Sequence, residues 1–208
     1  MVLVAMLRLA KILSLSLIAL WLSQPVSAQA SASATVERLN STLLAVMQQA
    51  KSLGYKGRYE KLAPVLSESF DFPLMARVSI GKHWDELDAT QQAQLIESFS
   101  RLSVATFAAR FDGYSGESFR VNGESDQRRN TVLVSNELIK ASGEITPINY
   151  LLREINGEWR IIDIFLDAKY SELALKRSEY SSVVSREGFD RLLGVMEEKI
   201  ADMASAGG

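Results

Sequence analysis

Cysteine is absent from this 208-residue chain, which excludes a disulfide framework and any thiolate chemistry. Histidine occurs once, at His83, so no cluster of imidazole and thiolate ligands of the kind that holds zinc can form. No glycine-rich loop stands at a strand–helix junction to cradle a phosphate. None of the many serines lies in a G-x-S-x-G elbow. A basic surplus is missing too. The formal net charge is −2, whereas nucleic acid requires a basic face. Beyond the N-terminus, no apolar run is long enough to span a bilayer.

The N-terminus reads as a targeting segment. Arg8 and Lys11 give a positive end, Ile12 to Leu22 an apolar stretch, and Pro25 breaks it. Val26-Ser27-Ala28 then fits the small-x-small cleavage rule. A signal peptide over residues 1–28, removed after Ala28, leaves one domain over 29–208. The rival reading is an uncleaved anchor, for which the apolar run is short. With no cysteine after the run, a lipoprotein anchor is excluded. Losing Arg8 and Lys11 makes the chain two units more acidic, so charge alone does not draw it to anionic headgroups.

Helical spacing follows. Val36, Leu39, Leu43, Val46, Met47 and Ala50 predict a helix over 36–53 that Gly54 stops. A second is expected over 58–70, with Pro64 placed to kink it. Asp71 and Pro73 suit the start of a short helix ending at Gly81. Asp88 and Gln91 have capping-box spacing before a helix reaching about Asp112.

The texture then changes to short strands: 118–122, 131–140, 145–155 and 158–166. Asn156-Gly157 predicts a two-residue hairpin turn between the last two. Consecutive strands with short connections imply an antiparallel meander. Two helices close the chain, one after Ser171 and one over 189–203, with Gly188 between them. The expected fold is α+β: a bent, four-stranded antiparallel sheet packed against N-terminal and C-terminal helices, with an apolar cavity between.

The hairpin carries the functional question. Alternation puts Trp159, Ile161, Asp163 and Phe165 on one face and Arg160, Ile162, Ile164 and Leu166 on the other. Both faces are largely apolar, so both are covered or one lines a cavity. Asp163 in such a strand could be a carboxyl with a raised pKa; its plainer reading is a structural bond, for instance to Arg153 or Arg177. Arg177-Ser178-Glu179-Tyr180 reads as a tie between helix and sheet. His83, a lone imidazole beside Trp84, reads as structural. No catalytic set and no metal site is assembled.

Taken in order, Phe70-Asp71-Phe72-Pro73, Met75-Ala76-Arg77, Gly81-Lys82-His83-Trp84 and Phe99 make a pattern. Tyr114-Ser115-Gly116-Glu117, Gly157-Glu158-Trp159-Arg160-Ile161-Ile162-Asp163 and Arg177-Ser178-Glu179-Tyr180 continue it. The collinear set resembles the toluene-tolerance family of MlaC-type periplasmic lipid-binding proteins, over about Val36 to Ile200. Leu166-Asp167-Ala168 with Ser171-Glu172-Leu173-Ala174 is similar to its hopanoid-biosynthesis-associated HpnM branch. Asp167-Ala168-Lys169-Tyr170 replaces the glycine and small turn usual after the last strand of the phospholipid branch.

The resemblance implies a periplasmic, non-enzymatic carrier without a cofactor, its cargo a phospholipid or hopanoid. It further implies passage of that cargo between an inner-membrane ABC-type lipid transport complex and an outer-membrane complex. The lining it implies is Phe72, Met75, Val78, Phe99, Leu102, Tyr114, Val132, Val134, Tyr150, Leu152, Trp159, Ile161 and Phe165. Binding is then expected to depend on apolar lining, such as Met75, Val134, Leu152 and Phe165, more than on any charged clamp, with the headgroup outside. Two other readings stay open: a structural accessory of a membrane complex, and a small-molecule enzyme on a cone-shaped α+β fold.

Overall fold

The computed structural model describes residues 31–167 and 169–207. The signal segment expected over 1–28 and its cut after Ala28 lie outside the described residues. Helices α1 (Ala32–Gln48), α2 (Ala50–Ser69), α3 (Phe72–Ile80) and α4 (Ala89–Arg110) come first, with a 3-10 helix, Gly81–Glu86, between the last two. Strands β1 (Ser118–Gln127), β2 (Thr131–Ile139), β3 (Ile145–Ile155), β4 (Glu158–Leu166) and β5 (Tyr170–Ser171) follow. Helices α5 (Glu172–Glu187) and α6 (Phe189–Ala206) end the chain. The sheet is an antiparallel meander in the order β1-β2-β3-β4-β5. The architecture is thus α+β, with a fifth, two-residue strand added to the four expected. Among the described residues no helix is long and apolar enough to cross a membrane.

Local chemistry explains most boundaries. Ser31 caps α1 through the Ala34 N–H, and Val36, Leu39, Leu43 and Val46 form its buried stripe. The helix breaks at Gln49, earlier than expected, and restarts at once. Gly54 marks a kink inside α2 instead of a stop: its φ of 58° belongs to the left-handed region, where glycine is tolerated. Pro64 sits in α2 without a non-helical dihedral, so it does not split the helix. Asp71 caps α3 through the Leu74 N–H. Asp88 and Gln91 complete the capping box of α4.

Asn156 and Gly157 both have positive φ, 52° and 83°, as a tight hairpin requires. β1 runs five residues beyond its expected end at Asn122, past a bulge between Val121 and Gly123. Its added residues are polar and exposed, so no alternation announces them.

A second bulge governs the interior. Leu152 pairs with Ile161 and Leu151 with Asp163, leaving Ile162 as an extra residue on β4. The expected alternation holds through Ile161 and inverts after it. Tyr150 now faces Ile164 across the ladder, and Ile148 faces Leu166. Ile164 and Leu166 therefore rejoin the inner face, and Asp163 and Phe165 leave it, against the alternation read from the sequence.

The core lies between this inner face and the helices. Val134, Leu152 and Ile161 meet Leu39, Leu43, Leu62, Leu66, Leu95 and Phe99 in one buried cluster. The joint between α2 and α3 is stitched to the sheet: Asp71 N–H donates to the Ile161 carbonyl at 2.9 Å, and Arg153 donates to Asp71 at 2.7 Å. Helix α6 runs along α4, and α5 along α3.

Candidate functional site

Where the inner face parts from the helices, it leaves a cavity of about 260 Å³. The sheet wall is Leu138 from β2, Ile148 and Tyr150 from β3, and Ile164 and Leu166 from β4. Phe70, Phe72 and Met75, at the α2–α3 joint, form the floor. The α4 wall is Ser103, Thr106, Phe107, Arg110 and Phe111; the α5 wall is Glu172, Leu173 and Lys176. Two larger hollows are more open to solvent. One, of about 610 Å³, runs beside Ser67, Arg101, Asn156 and Arg160. The other, of about 730 Å³, lies among polar residues of the strand turns, including Asp126, Asn130 and Glu154. Of these three, the 260 Å³ cavity is the least open to solvent and has a mainly apolar lining, so it is the candidate for an apolar ligand.

A chain of aromatic rings builds its floor and one side. Phe70 stacks on Phe72 with centroids 5.5 Å apart and meets Phe107 edge-on at 5.7 Å. Phe107 stacks on Phe111 at 5.7 Å, and Phe111 lies 6.2 Å from Phe119. Such contacts add to area burial and fix the rings in place. The shape of the floor is therefore set by α2, α3 and α4 together.

The polar atoms are unevenly spread. Ser103 and Thr106 satisfy themselves by donating to the Phe99 and Leu102 carbonyls, each at 2.7 Å. Tyr150 is buried, and burial pushes its pKa well above the usual tyrosine range. Lys176 is the other unusual group. Its Nζ lies 6.0 Å from the Phe99 centroid and 5.6 Å from the Tyr180 centroid, and donates a long bond of 3.5 Å to the Tyr180 hydroxyl. Burial lowers its pKa below the lysine norm, although Glu172 and Glu179 pull it back up; Lys199 and Arg110 lower it further.

The residues expected from the sequence fall into three groups. Phe72, Met75 and Tyr150 line the cavity. Phe99, Leu102, Val132, Val134, Leu152 and Ile161 are buried in the packed core and do not line it. Val78 and Trp159 are partly buried against that core, and Trp159 and Val132 border the polar hollow by the turns. Tyr114 is 45% exposed, and Phe165 is carried out of the lining by the β4 bulge. Phe70, Phe107, Ile148, Ile164, Leu166 and Leu173 were missed. Phe70 and Phe107 are simple apolar periodicity in the sequence, and only the bulge brings Ile164 and Leu166 inside.

The two polar candidates are structural in their contacts. Asp163 accepts from the Ser171 hydroxyl at 2.6 Å and from the Leu173 and Ile164 N–H groups at 3.1 and 2.8 Å. It anchors the start of α5, and neither Arg153 nor Arg177 is its partner. His83 is buried, with the Nδ1 2.9 Å from Glu86 Oε2 and Nε2 2.9 Å from Ser185 Oγ. Glu86 accepts from Nδ1–H, and Ser185 donates to Nε2, in the tautomer that satisfies both. An acid, an imidazole and a hydroxyl thus stand in line. Ser185, however, sits within α5, whose N–H groups are committed to the helix and offer no oxyanion donors. None of the three cavities includes His83, Glu86 or Ser185. The contact ties the 3-10 helix to α5. Among the described residues no group of three or more His, Asp or Glu could hold a metal ion.

Comparison with known proteins places the chain. The profile of the MlaC protein family matches residues 37–198. No curated protein matches. Among solved structures, the phospholipid-binding protein from Ralstonia solanacearum, determined in complex with a phospholipid, has a TM-score of 0.73 at 19% identity. The match covers 84% of this chain and 99% of that one.

Proposed function

We propose, from the premise that this chain belongs to the MlaC protein family, that it is a lipid carrier with phospholipid as cargo. The observation that carries the reading is the mainly apolar cavity between the bulged sheet and α2–α5, floored by Phe70, Phe72 and Met75. A related fold has been solved with phospholipid bound, which supports the same cargo over a hopanoid here. The N-terminal segment would deliver the chain to the periplasm. There it would pass lipid between an inner-membrane ABC-type complex and an outer-membrane complex.

Energetics require a carrier of this kind. A diacyl lipid has about 30 methylenes, and each costs roughly 0.8 kcal/mol to expose. Tails therefore do not cross water uncovered. The cavity of about 260 Å³ falls below the roughly 300–1,000 Å³ of ordinary ligand sites, so its walls part on loading.

Organic extraction of the protein as purified, followed by mass spectrometry, tests the reading. One diacyl phospholipid per chain is expected, and delipidated protein should reload from donor vesicles. Protein that carries no lipid and takes none up would overturn it. Loaded protein should also exchange slowly with bare liposomes and faster with its membrane complex present; rapid exchange with bare liposomes would remove the docking step.

A further inference from the structure

The apolar cavity has one cationic seam. On α4, Ser103, Thr106 and Arg110 fall at positions that place them along one face, leading to the helix end. Across from them α5 presents Glu172 and Lys176. A cation in the last turn of a helix is ordinary, since it complements the macrodipole, and this accounts for Arg110 on α4. It does not account for Lys176, which lies in the second turn of α5, toward the end of the helix that disfavours a cation.

Lys176 has three N–H donors and, among the described residues, one long hydrogen bond, at 3.5 Å, to use them. No carboxylate forms an ion pair with it, and neither Lys176 nor Arg110 has a salt bridge among the described residues. Two aromatic rings face the ammonium in place of a counterion. A partly buried cation with unmet donors is costly unless something supplies negative oxygen. The cavity beside it is where such a group would enter.

We propose that the α4–α5 seam is an anion subsite, in which Lys176 and Arg110 hold the phosphodiester oxygens of an amphiphile whose tails lie against Phe70, Phe72 and the sheet. The assignment rests on the carrier reading and narrows it. A neutral polycyclic lipid offers Lys176 no anionic oxygen, whereas a phospholipid satisfies the seam and the floor at once. The headgroup is then held at the cavity wall by charge-assisted bonds, which gives charge a larger share than the expectation of a headgroup outside and a mainly apolar hold.

The test uses delipidated protein and two lipids with identical acyl chains, phosphatidylglycerol and diacylglycerol, with occupancy read by native mass spectrometry. Lys176→Met and Arg110→Gln should each weaken phosphatidylglycerol binding about ten- to hundredfold and leave diacylglycerol unchanged. Lys176→Arg should retain phosphatidylglycerol binding. Arg110 is exposed, so its variant stays informative should Lys176→Met fold poorly. Millimolar inorganic phosphate should not displace the lipid. Equal loss of both lipids in Lys176→Met, or wild-type affinity in both variants, would overturn the subsite alone. Displacement by inorganic phosphate, lost in Lys176→Met, would reassign the seam to a free anion. Wild-type protein that binds neither lipid would overturn the carrier reading and the subsite together.

Discussion

Phe99 and Phe107 make a controlled pair for separating core from cavity. Both lie on α4, two turns or so apart, and both become alanine in the same helix, so the change in helix propensity cancels. Phe99 is 1% exposed and surrounded by packed side chains. Its truncation should cost about 3–5 kcal/mol, the usual range for a buried phenylalanine. Phe107 touches Phe70 and Phe111 on one side and faces the cavity on the other. With the cavity in place of partner atoms on one side, Phe107→Ala should cost less, about 1.5–2.5 kcal/mol in delipidated protein. Urea unfolding with and without lipid gives both numbers. In loaded protein the gap between the two variants should narrow, because Phe107→Ala also forfeits contacts to the tails and with them part of the ligand's stabilisation. Should Phe107→Ala cost as much as Phe99→Ala when delipidated, and leave lipid affinity unchanged, the cavity is merely core.

Other expectations follow from single contacts. Asp71 both caps α3 and pairs with Arg153, which is 40% exposed, so the ion pair is discounted. Asp71→Ala should cost about 1–3 kcal/mol and Asp71→Asn, which keeps the cap, about 1 or less, as read by thermal unfolding. Ser185→Ala removes one bond to His83 and should cost about 0.5–1.5 kcal/mol with no change in lipid occupancy; loss of an esterase activity in that variant would reverse the structural reading. Lys176 has a lowered pKa in the fold, from burial first, with Glu172, Glu179, Lys199, Arg110 and the Tyr180 ring around it. The unfolded chain therefore binds more protons between the two pKa values, and delipidated stability should rise with pH there, relative to Lys176→Met. Tyr180 and Tyr150, with raised pKa values, act in the opposite direction at higher pH. Phosphatidylglycerol affinity should fall across the same window as the ammonium loses its proton, while diacylglycerol affinity stays flat.

The order of elements was legible because it rests on local signals. Capping by Asp71 and Asp88, the Asn156-Gly157 turn and the stripes of α1 and α4 each act within a few residues. Boundaries failed where the deciding partner is remote or the signal polar. β1 continues through Glu124-Ser125-Asp126 because β2 pairs with it, not because those residues favour a strand. Gly54 promised a stop and gave a kink, since α2 resumes beyond it.

The candidate site was legible only in part, and the reason is the difference between burial and cavity. Hydrophobicity marks a residue as inside; it does not say whether the residue opposite leaves a gap. Val134, Leu152 and Ile161 are as apolar as any lining residue, yet they are fully buried within the packed core cluster. The gap opens farther along the same sheet, beyond Tyr150, and Ile162 determines who faces it. A one-residue insertion inverts the side-chain alternation of everything after it. Without the bulge, Asp163 and Phe165 would lie on the inner face, and a carboxylate would stand beside the phenylalanine floor. With it, Asp163 turns to hold Ser171 and the first N–H groups of α5. The same irregularity thus supplies the cavity with Ile164 and Leu166 and fixes the helix that carries Lys176. Removing Ile162 should therefore damage lipid binding and the seating of α5 together, a coupling that proteolysis within Lys169–Glu172 would report in the deletion variant and that an ordinary core substitution such as Leu152→Ala should not reproduce.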